Sequence, residues 1–155
     1  MKDRITTPDE EILATLNDMC PATLMQTLDI RYTAVGEKSL TCEMVVGDQM
    51  MRPGGILHGG ATMALIETVG SSASCLYMDP DTEVVLGIDV GANHISTGRK
   101  GDVLTATATA IHIGRTTQIW NVEVVNQKGR LISKGKVTNI VLPKDVIAPK
   151  TLNDK

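Results

Sequence analysis

The segment from residue 53 to residue 78 constrains the fold more than any other part of the sequence. Its 26 residues carry one formal charge, that of Glu67, and residues 59–77 are apolar or small on nearly every side of a helical projection. A helix with this pattern must be enclosed by other structure, because apolar surface is unfavourable in water. The sequence therefore predicts a buried central helix over residues 59–77, whose small residues indicate close approach of neighbouring backbones.

Period-two alternation of apolar residues predicts strands on both sides of this helix. The six predicted strands cover residues 28–35, 39–46, 83–94, 102–113, 116–126 and 130–142. Gly114 and Arg115 are predicted to form a two-residue hairpin turn with glycine first. Gly129 is expected at the left-handed position of a longer turn between the last two strands.

The segments outside this pattern are short. Residues 8–19 predict an amphipathic helix, with Thr7 as its cap, Pro8 in its first turn and acidic residues at its start. Residues 143–155 predict a polar tail. At 155 residues, the chain is predicted to form a single domain over residues 1–155, with its core over about residues 27–142.

The order of elements predicts the fold class. One helix, two strands, the central helix and four further strands fit an α+β fold in which an antiparallel sheet wraps around one long helix. A single sheet covers one side of that helix and leaves apolar surface on the other side. We therefore expect the chain to form a homodimer.

Charge and composition exclude several function classes. The net charge is −3 and the chain has three aromatic residues, so neither a basic footprint nor a stacking surface for nucleic acid is expected. The sequence contains no run of 18 uncharged apolar residues of the kind that predicts a membrane span. Its first residues carry no apolar segment typical of a secretory signal. The sequence therefore predicts a cytoplasmic protein with no membrane or nucleic-acid partner.

The three cysteines, Cys20, Cys42 and Cys75, are widely spaced and odd in number. This pattern argues against a disulfide framework or a zinc site and predicts reduced, mostly buried thiols. Cys75 as a nucleophile is the alternative. Its apolar neighbours, with no cation nearby in sequence, would raise the pKa of its thiol and so argue against that role.

Glu67 is the first candidate for chemistry, because it is an acid on the most apolar helix of the chain. Burial of the carboxylate would raise its pKa unless hydrogen-bond donors compensate, and such acids are typical of functional sites. Ser71 follows four residues later on the same helical face and can hydrogen-bond to Glu67. The alternatives are a solvent-exposed Glu67, or one paired with a lysine, and a Ser71 that bonds to a carbonyl of its own helix.

A second candidate group is formed by His58, Gly59 and Gly60 at the start of the central helix. Unpaired N–H groups at a helix N-terminus can bind an anion or the oxyanion of a carbonyl. Gly59 and Glu67 are eight residues apart, which is about 12 Å along one helix. One chain can hardly bring both groups to the same carbonyl, so we expect an active site shared by two antiparallel chains.

These residues resemble those of a known family, the hotdog-fold acyl-CoA thioesterases. The resemblance covers about residues 27–142 and is carried by L-H-G-G-A at residues 57–61, E-T at 67–68 and A-N-H at 92–94. Within the family it is nearest to the branch of the 1,4-dihydroxy-2-naphthoyl-CoA hydrolase, the enterobactin-pathway proofreading thioesterase, and the 4-hydroxybenzoyl-CoA and phenylacetate-pathway enzymes. It implies the hotdog fold and hydrolysis of an acyl-CoA to a free acid and CoA, without metal or redox cofactor.

The resemblance also implies catalytic roles. Glu67 is expected to attack the thioester carbonyl or to activate water against it, and the Gly59 N–H of the opposite subunit to polarise that carbonyl. His58 is expected to support the carbonyl or leaving-group region, and Ser71 to orient the acid or the water.

Substrate binding is expected to involve further residues. Gly60 continues the helix start, His94 lines the acyl pocket, and the turn with Arg115 meets the CoA nucleotide. A solvated Arg115 is the alternative, with Arg99 and Lys100 as rival phosphate partners. The family also implies that dimers pair into a homotetramer.

One position departs from the family. Its members usually have Gln or Asn five or six residues before the histidine, whereas Arg52 lies six residues before His58 and Gln49 is three residues further away. Arg cannot accept a hydrogen bond as Gln does. Arg52 is expected instead to hold the carbonyl or to pair with Glu67. It leaves open the alternative of a non-catalytic acyl-CoA-binding protein. A second alternative is a hotdog 3-hydroxyacyl dehydratase, a class that uses a His and an acid on the same fold.

Overall fold

A computed structural model describes residues 2–147, which form one six-stranded antiparallel sheet and a long helix packed against it. In chain order the elements are α1 (Asp9–Asp18), α2 (Leu24–Thr27), β1 (Ile30–Gly36), β2 (Ser39–Val45), β3 (Met51–Arg52), β4 (Ile56–Leu57), α3 (Gly59–Cys75), β5 (Glu83–His94), β6 (Val103–Ile113), β7 (Thr117–Asn126), β8 (Leu131–Pro143) and α4 (Lys144–Ile147). The sheet order is β1-β2-β6-β7-β8-β5, and β3 and β4 form a separate two-stranded hairpin. Among these elements, no helix is long and apolar enough to cross a membrane.

Helix α3 is the predicted central helix, and the sheet wraps one side of it. Its residues Leu65, Ile66, Val69 and Ala73 are fully buried against strands of the sheet. At Gly70 the approach is so close that a Cβ atom would lie 2.7 Å from Cγ2 of Val137 in β8. The small residues predicted to allow close backbone packing therefore do so at this point.

The sheet follows the predicted alternation. Alternate residues of β2 and β6 face α3 and are fully buried: Leu40, Cys42, Met44, Leu104, Ala106 and Ala108. Ala110 is half-buried, and the pairing of β6 with β7 is irregular just beyond it, between Ala110 and His112. The predicted α+β class with an antiparallel sheet around a long helix is confirmed.

Two local predictions are wrong. Thr7 does not cap α1, because Pro8 occupies the cap position with extended backbone and Thr7 lies one residue outside it. The β6–β7 connection has three residues, Gly114 to Thr116, and Gly114 does not adopt positive φ. Glycine is required there because a Cβ atom would meet His112 Nε2 at 2.5 Å and the Thr117 carbonyl oxygen at 2.8 Å.

Other elements were not predicted from the sequence. Helix α2, the β3–β4 hairpin and the 3₁₀ turn Asp48–Met50 lie in segments expected to be loops, where Gly54 and Gly55 adopt positive φ. The predicted Gly129 turn is confirmed, with φ of +73°. Of the predicted tail, Pro143 ends β8, Lys144–Ile147 form α4, and residues 148–155 lie outside the described part of the chain.

Strand β5 forms one edge of the sheet and is 12 residues long. Leu86 and Ile88 on it are 39% and 59% exposed, and its pairing with β8 is interrupted by a bulge between Gly87 and Asp89. A long edge strand with exposed apolar side chains is a surface that other strands readily pair with.

The close packing of Gly70 against Val137 leads to a stability prediction. Gly70→Ala should lower the free energy of unfolding by about 1–3 kcal/mol, because the added methyl group has no room between α3 and β8. Val137→Ala tests the cause, because it removes the methyl groups that the new Cβ atom would meet, so Gly70→Ala should cost less in a Val137→Ala background. Urea unfolding followed by circular dichroism measures the single and double variants, and equal costs of Gly70→Ala in the two backgrounds would contradict the packing argument.

Candidate active site

The N-terminus of α3 leaves one backbone donor available. His58 is the cap residue, and its Nδ1 accepts a hydrogen bond from the Gly60 N–H at 2.8 Å. In a neutral His58 ring the proton therefore lies on Nε2. Within residues 2–147 the Gly59 N–H has no hydrogen-bond partner, so Gly59 rather than Gly60 offers the amide that can polarise a ligand oxygen.

His94 lies directly over Gly59. A Cβ atom at Gly59 would be 2.8 Å from Nε2 of His94, so only glycine allows this contact. The ring is held from its other side, where Nδ1 of His94 is 2.6 Å from Oγ of Ser133 in β8. Ser133 was not a candidate from the sequence; it is fully buried and lies opposite His94 in the β5–β8 pairing.

A cleft of about 200 Å³ opens at this helix end. It is lined by Arg52, Ile56, Leu57, Gly59, Thr62, His94, Ser96, Thr97, Gly98 and Ile132. Arg52 is exposed, and its Nη1 donates to the Pro53 carbonyl at 3.3 Å. Gln49 is turned elsewhere and donates to the Thr27 carbonyl at 3.3 Å, so of these two side chains Arg52 is the one that lines the cleft.

Glu67 lies two turns further along α3 and is exposed in the single chain. The expectation of a buried acid is therefore wrong for the protomer, because Glu67 projects over the sheet edge at β5, where covering structure ends. The side chain passes over Gly87, at which a Cβ atom would lie 3.0 Å from Oε1 of Glu67. No ion pair involves Glu67 within the described residues.

Ser71 forms neither of the two bonds considered from the sequence. Its hydroxyl donates to Oδ1 of Asn139 in β8 at 3.2 Å, rather than to Glu67 or to its own helix. Asn139 is fully buried and also donates to Oγ of Ser74 at 2.7 Å. Asn139 was not a candidate from the sequence, although its place between Val137 and Val141 in the alternation of β8 marks it as an inward-facing polar residue.

The structure brings together some of the predicted site residues and separates others. Arg52, His58, Gly59, Gly60 and His94 surround the N-terminus of α3. Glu67 and Ser71 form a separate group beside β5, about 12 Å and about 18 Å from Gly59 along the helix.

Arg115 lies far from this cleft in its own protomer. Its turn precedes Gln118, whose side chain contacts the Tyr77 carbonyl just beyond the C-terminal end of α3. Lys100, a rival phosphate partner, is paired with Asp48 at 2.7 Å.

The three cysteines are free thiols, of which Cys20 and Cys42 are buried in the core and Cys75 is half-buried. Burial raises the pKa of the Cys75 thiol, and burial together with Cys20 and Glu43 raises that of Cys42 to about 12. These thiols are therefore protonated near neutral pH and poor nucleophiles. Within residues 2–147, no three His, Cys, Asp or Glu side chains cluster as metal ligands.

Comparison with known proteins agrees with this architecture. A family model described as the Thioesterase superfamily matches residues 54–133. The chain is 35% identical over 130 residues to the 1,4-dihydroxy-2-naphthoyl-CoA hydrolase of Escherichia coli, covering 84% of this chain and 94% of that protein.

Solved structures give the same result. A mutant thioesterase of Pseudomonas aeruginosa superimposes with a TM-score of 0.84 and 36% identity, covering 90% of this chain and 98% of that one. A thioesterase of Haemophilus influenzae superimposes with a TM-score of 0.82 and 34% identity, covering 92% of this chain and 96% of that one. The chain therefore belongs to the thioesterase superfamily with the hotdog fold, and its enzyme class is that of a thioester hydrolase.

Proposed function

We propose that this protein hydrolyses an acyl-CoA thioester in an active site assembled from two copies of the chain. The observation that carries the proposal is the arrangement of α3, which presents the Gly59 N–H in a cleft at its start and an exposed Glu67 carboxylate two turns later. A carbonyl activator and an acid or base are the two groups that thioester hydrolysis needs. Their separation means that each has to meet its counterpart on a second chain.

The edge strand β5 supports a specific dimer. Gly87, beneath Glu67, and His94, over Gly59, are both on β5. Two copies of β5 paired antiparallel about a two-fold axis near Val90 and Gly91 would set Gly87 opposite His94 of the partner subunit. This pairing would cover Leu86 and Ile88 and carry each Glu67 toward the partner subunit's Gly59.

The proposed chemistry follows from these roles. The Gly59 N–H of the partner subunit donates to the thioester oxygen and stabilises the negative charge that develops on it. Glu67 attacks the carbonyl carbon or removes a proton from attacking water, and the C–S bond then breaks to release CoA. His58 supports the carbonyl and leaving-group region, Ser71 orients the acid or the water, and His94 lines the acyl pocket.

Arg52 is the residue that supports a different outcome, binding without turnover. A panel of aromatic, short-chain and medium-chain acyl-CoAs, assayed for free CoA with a thiol reagent, tests this. The Escherichia coli relative acts, by its name, on an aromatic acyl-CoA, so the panel starts with benzoyl-CoA. Release of CoA supports hydrolysis, and binding without release supports the non-catalytic alternative. A 3-hydroxyacyl-CoA is added to the panel for the remaining alternative, and its conversion to an enoyl product supports a dehydratase.

We propose that two dimers pair into a tetramer and that the protein is cytoplasmic, the latter from its free thiols and the composition of its sequence. Light scattering of the purified protein measures the assembly.

Glu67 should be essential for turnover. Glu67→Gln removes the base or nucleophile at nearly constant volume and should lower kcat by about three orders of magnitude or more. Glu11→Gln, an exposed acid on α1, is the matched control and should leave kcat unchanged. The acyl-CoA panel measures both, and near-normal turnover by Glu67→Gln would contradict the mechanism.

Complementation between two inactive variants should restore activity. A Glu67→Gln chain and a Gly59→Ala chain, whose added Cβ would meet His94 Nε2 at 2.8 Å, each spoil both sites of a homodimer. A mixed dimer keeps one intact site, so random subunit exchange should give about a quarter of the wild-type activity. Mass spectrometry verifies that the subunits have exchanged. If activity is still not restored, each site is built within one chain.

Arg115 should act on the nucleotide rather than on the reacting bond. A guanidinium suits the phosphates of CoA, so Arg115→Ala should raise KM for an acyl-CoA with a smaller change in kcat. The same variant should behave as wild type on an acyl-pantetheine, which lacks those phosphates. Arg99→Ala is the control for a rival cation, and equal losses of Arg115→Ala on both substrates would remove the nucleotide assignment.

A further inference from the structure

Behind Glu67, a chain of buried hydrogen bonds runs through the core from β7 to α3. Nε1 of Trp120 donates to Oγ of Ser74 at 2.7 Å, and Nδ2 of Asn139 donates to the same oxygen at 2.7 Å. Trp120, Ser74 and Asn139 are fully buried. The chain ends at the Ser71 hydroxyl, on the same face of α3 as Glu67.

The direction of each bond in this chain is fixed by chemistry. The indole N–H is only a donor, so Ser74 Oγ accepts from Trp120. Nδ2 of Asn139 also lies 3.1 Å from the Gly70 carbonyl, which is only an acceptor, so this side of the amide must carry the hydrogens. The opposite side of Asn139 is therefore the carbonyl oxygen Oδ1, and Ser71 has to donate its single hydroxyl proton to it.

This polarity determines what Ser71 presents to Glu67. With its proton committed to Asn139, Ser71 Oγ offers lone pairs and no donor. A Cβ atom placed on Gly87 would lie 3.0 Å from Glu67 Oε1, 3.7 Å from Asn139 Oδ1 and 3.8 Å from Ser71 Oγ, so these three oxygens surround the same position. Ser71 Oγ and a Glu67 carboxylate are both acceptors and cannot bond to each other. A water molecule, which has two hydrogens to donate, can bond to both of them.

We infer that Asn139 is a positioning residue, which holds Ser71 as a hydrogen-bond acceptor for the water that Glu67 activates. This inference rests on the proposed function and selects between the two roles left open for Glu67. The water donates one hydrogen to Ser71 and loses the other to Glu67, while its oxygen forms a bond to the thioester carbon. The C–S bond then breaks, the proton passes from Glu67 to the CoA thiolate, and the product is the free acid.

Isotope labelling tests the route of the oxygen. The enzyme is used in excess over the panel thioester that it hydrolyses fastest, in H₂¹⁸O, for a single turnover. The inference expects ¹⁸O in the acid, with no label and no acyl group on the Glu67 peptide. Label in Glu67, or an acyl adduct on it in quenched protein, would mean direct attack by the carboxylate and would overturn the inference while leaving thioester hydrolysis intact.

Substitutions test the positioning role. Ser71→Ala should lower kcat about tenfold at unchanged KM, and Ser71→Thr, which keeps the hydroxyl, should recover most of it. Ser72→Ala is the matched control on the next residue, because its hydroxyl bonds to Tyr32 instead, at 2.6 Å. Equal kcat for Ser71→Ala and Ser72→Ala would overturn the inference.

A double-mutant cycle links Asn139 to Ser71. Asn139→Leu removes the acceptor, which frees the Ser71 proton to bond to the Glu67 carboxylate, and kcat should again fall about tenfold. Ser71→Ala added to Asn139→Leu should then cost little more, because both changes remove the same water acceptor. Losses that multiply would show that Asn139 acts apart from Ser71. If Asn139→Leu does not fold, the labelling result and the Ser71 variants decide.

Discussion

The packing of α3 against the sheet is the interaction on which the rest of the structure depends. It is close because Gly70 and Gly135 carry no side chains where they meet Val137 and Ile66. This contact fixes both the depth and the rotation of the helix. Those two quantities set where the Gly59 amide opens and over which strand Glu67 projects, so the positions of both candidate groups follow from the packing of other residues.

Much of the fold could be predicted from the sequence because its signals are local. The small-residue run of α3 and the alternation in β2 and β6 each determine an element without reference to the remainder of the chain. The β3–β4 hairpin could not be predicted in this way, because its strands have two residues each and show no periodicity. The exposure of Glu67 was only the alternative from the sequence, since sequence does not show where a sheet ends.

The same distinction applies to the candidate site, where residues with a local sequence signal could be predicted and residues that depend on another element could not. Gly59, His58 and Glu67 were candidates from the sequence because a glycine at a helix start and an isolated acid are unusual in themselves. Asn139 and Ser133 were missed because each matters through a partner on another element, Ser71 and His94 respectively. Polar residues in the inward phase of a strand are the sequence signal that would have led to both.

Trp120 gives the buried hydrogen-bond chain an optical consequence. It is the sole tryptophan of the sequence, is fully buried, and donates its indole N–H to Ser74. All tryptophan emission from this protein therefore originates at one end of the network that leads to Ser71. Changes in the polarity around that indole will be visible in the fluorescence spectrum without any label, in a background that contains two tyrosines and no phenylalanine.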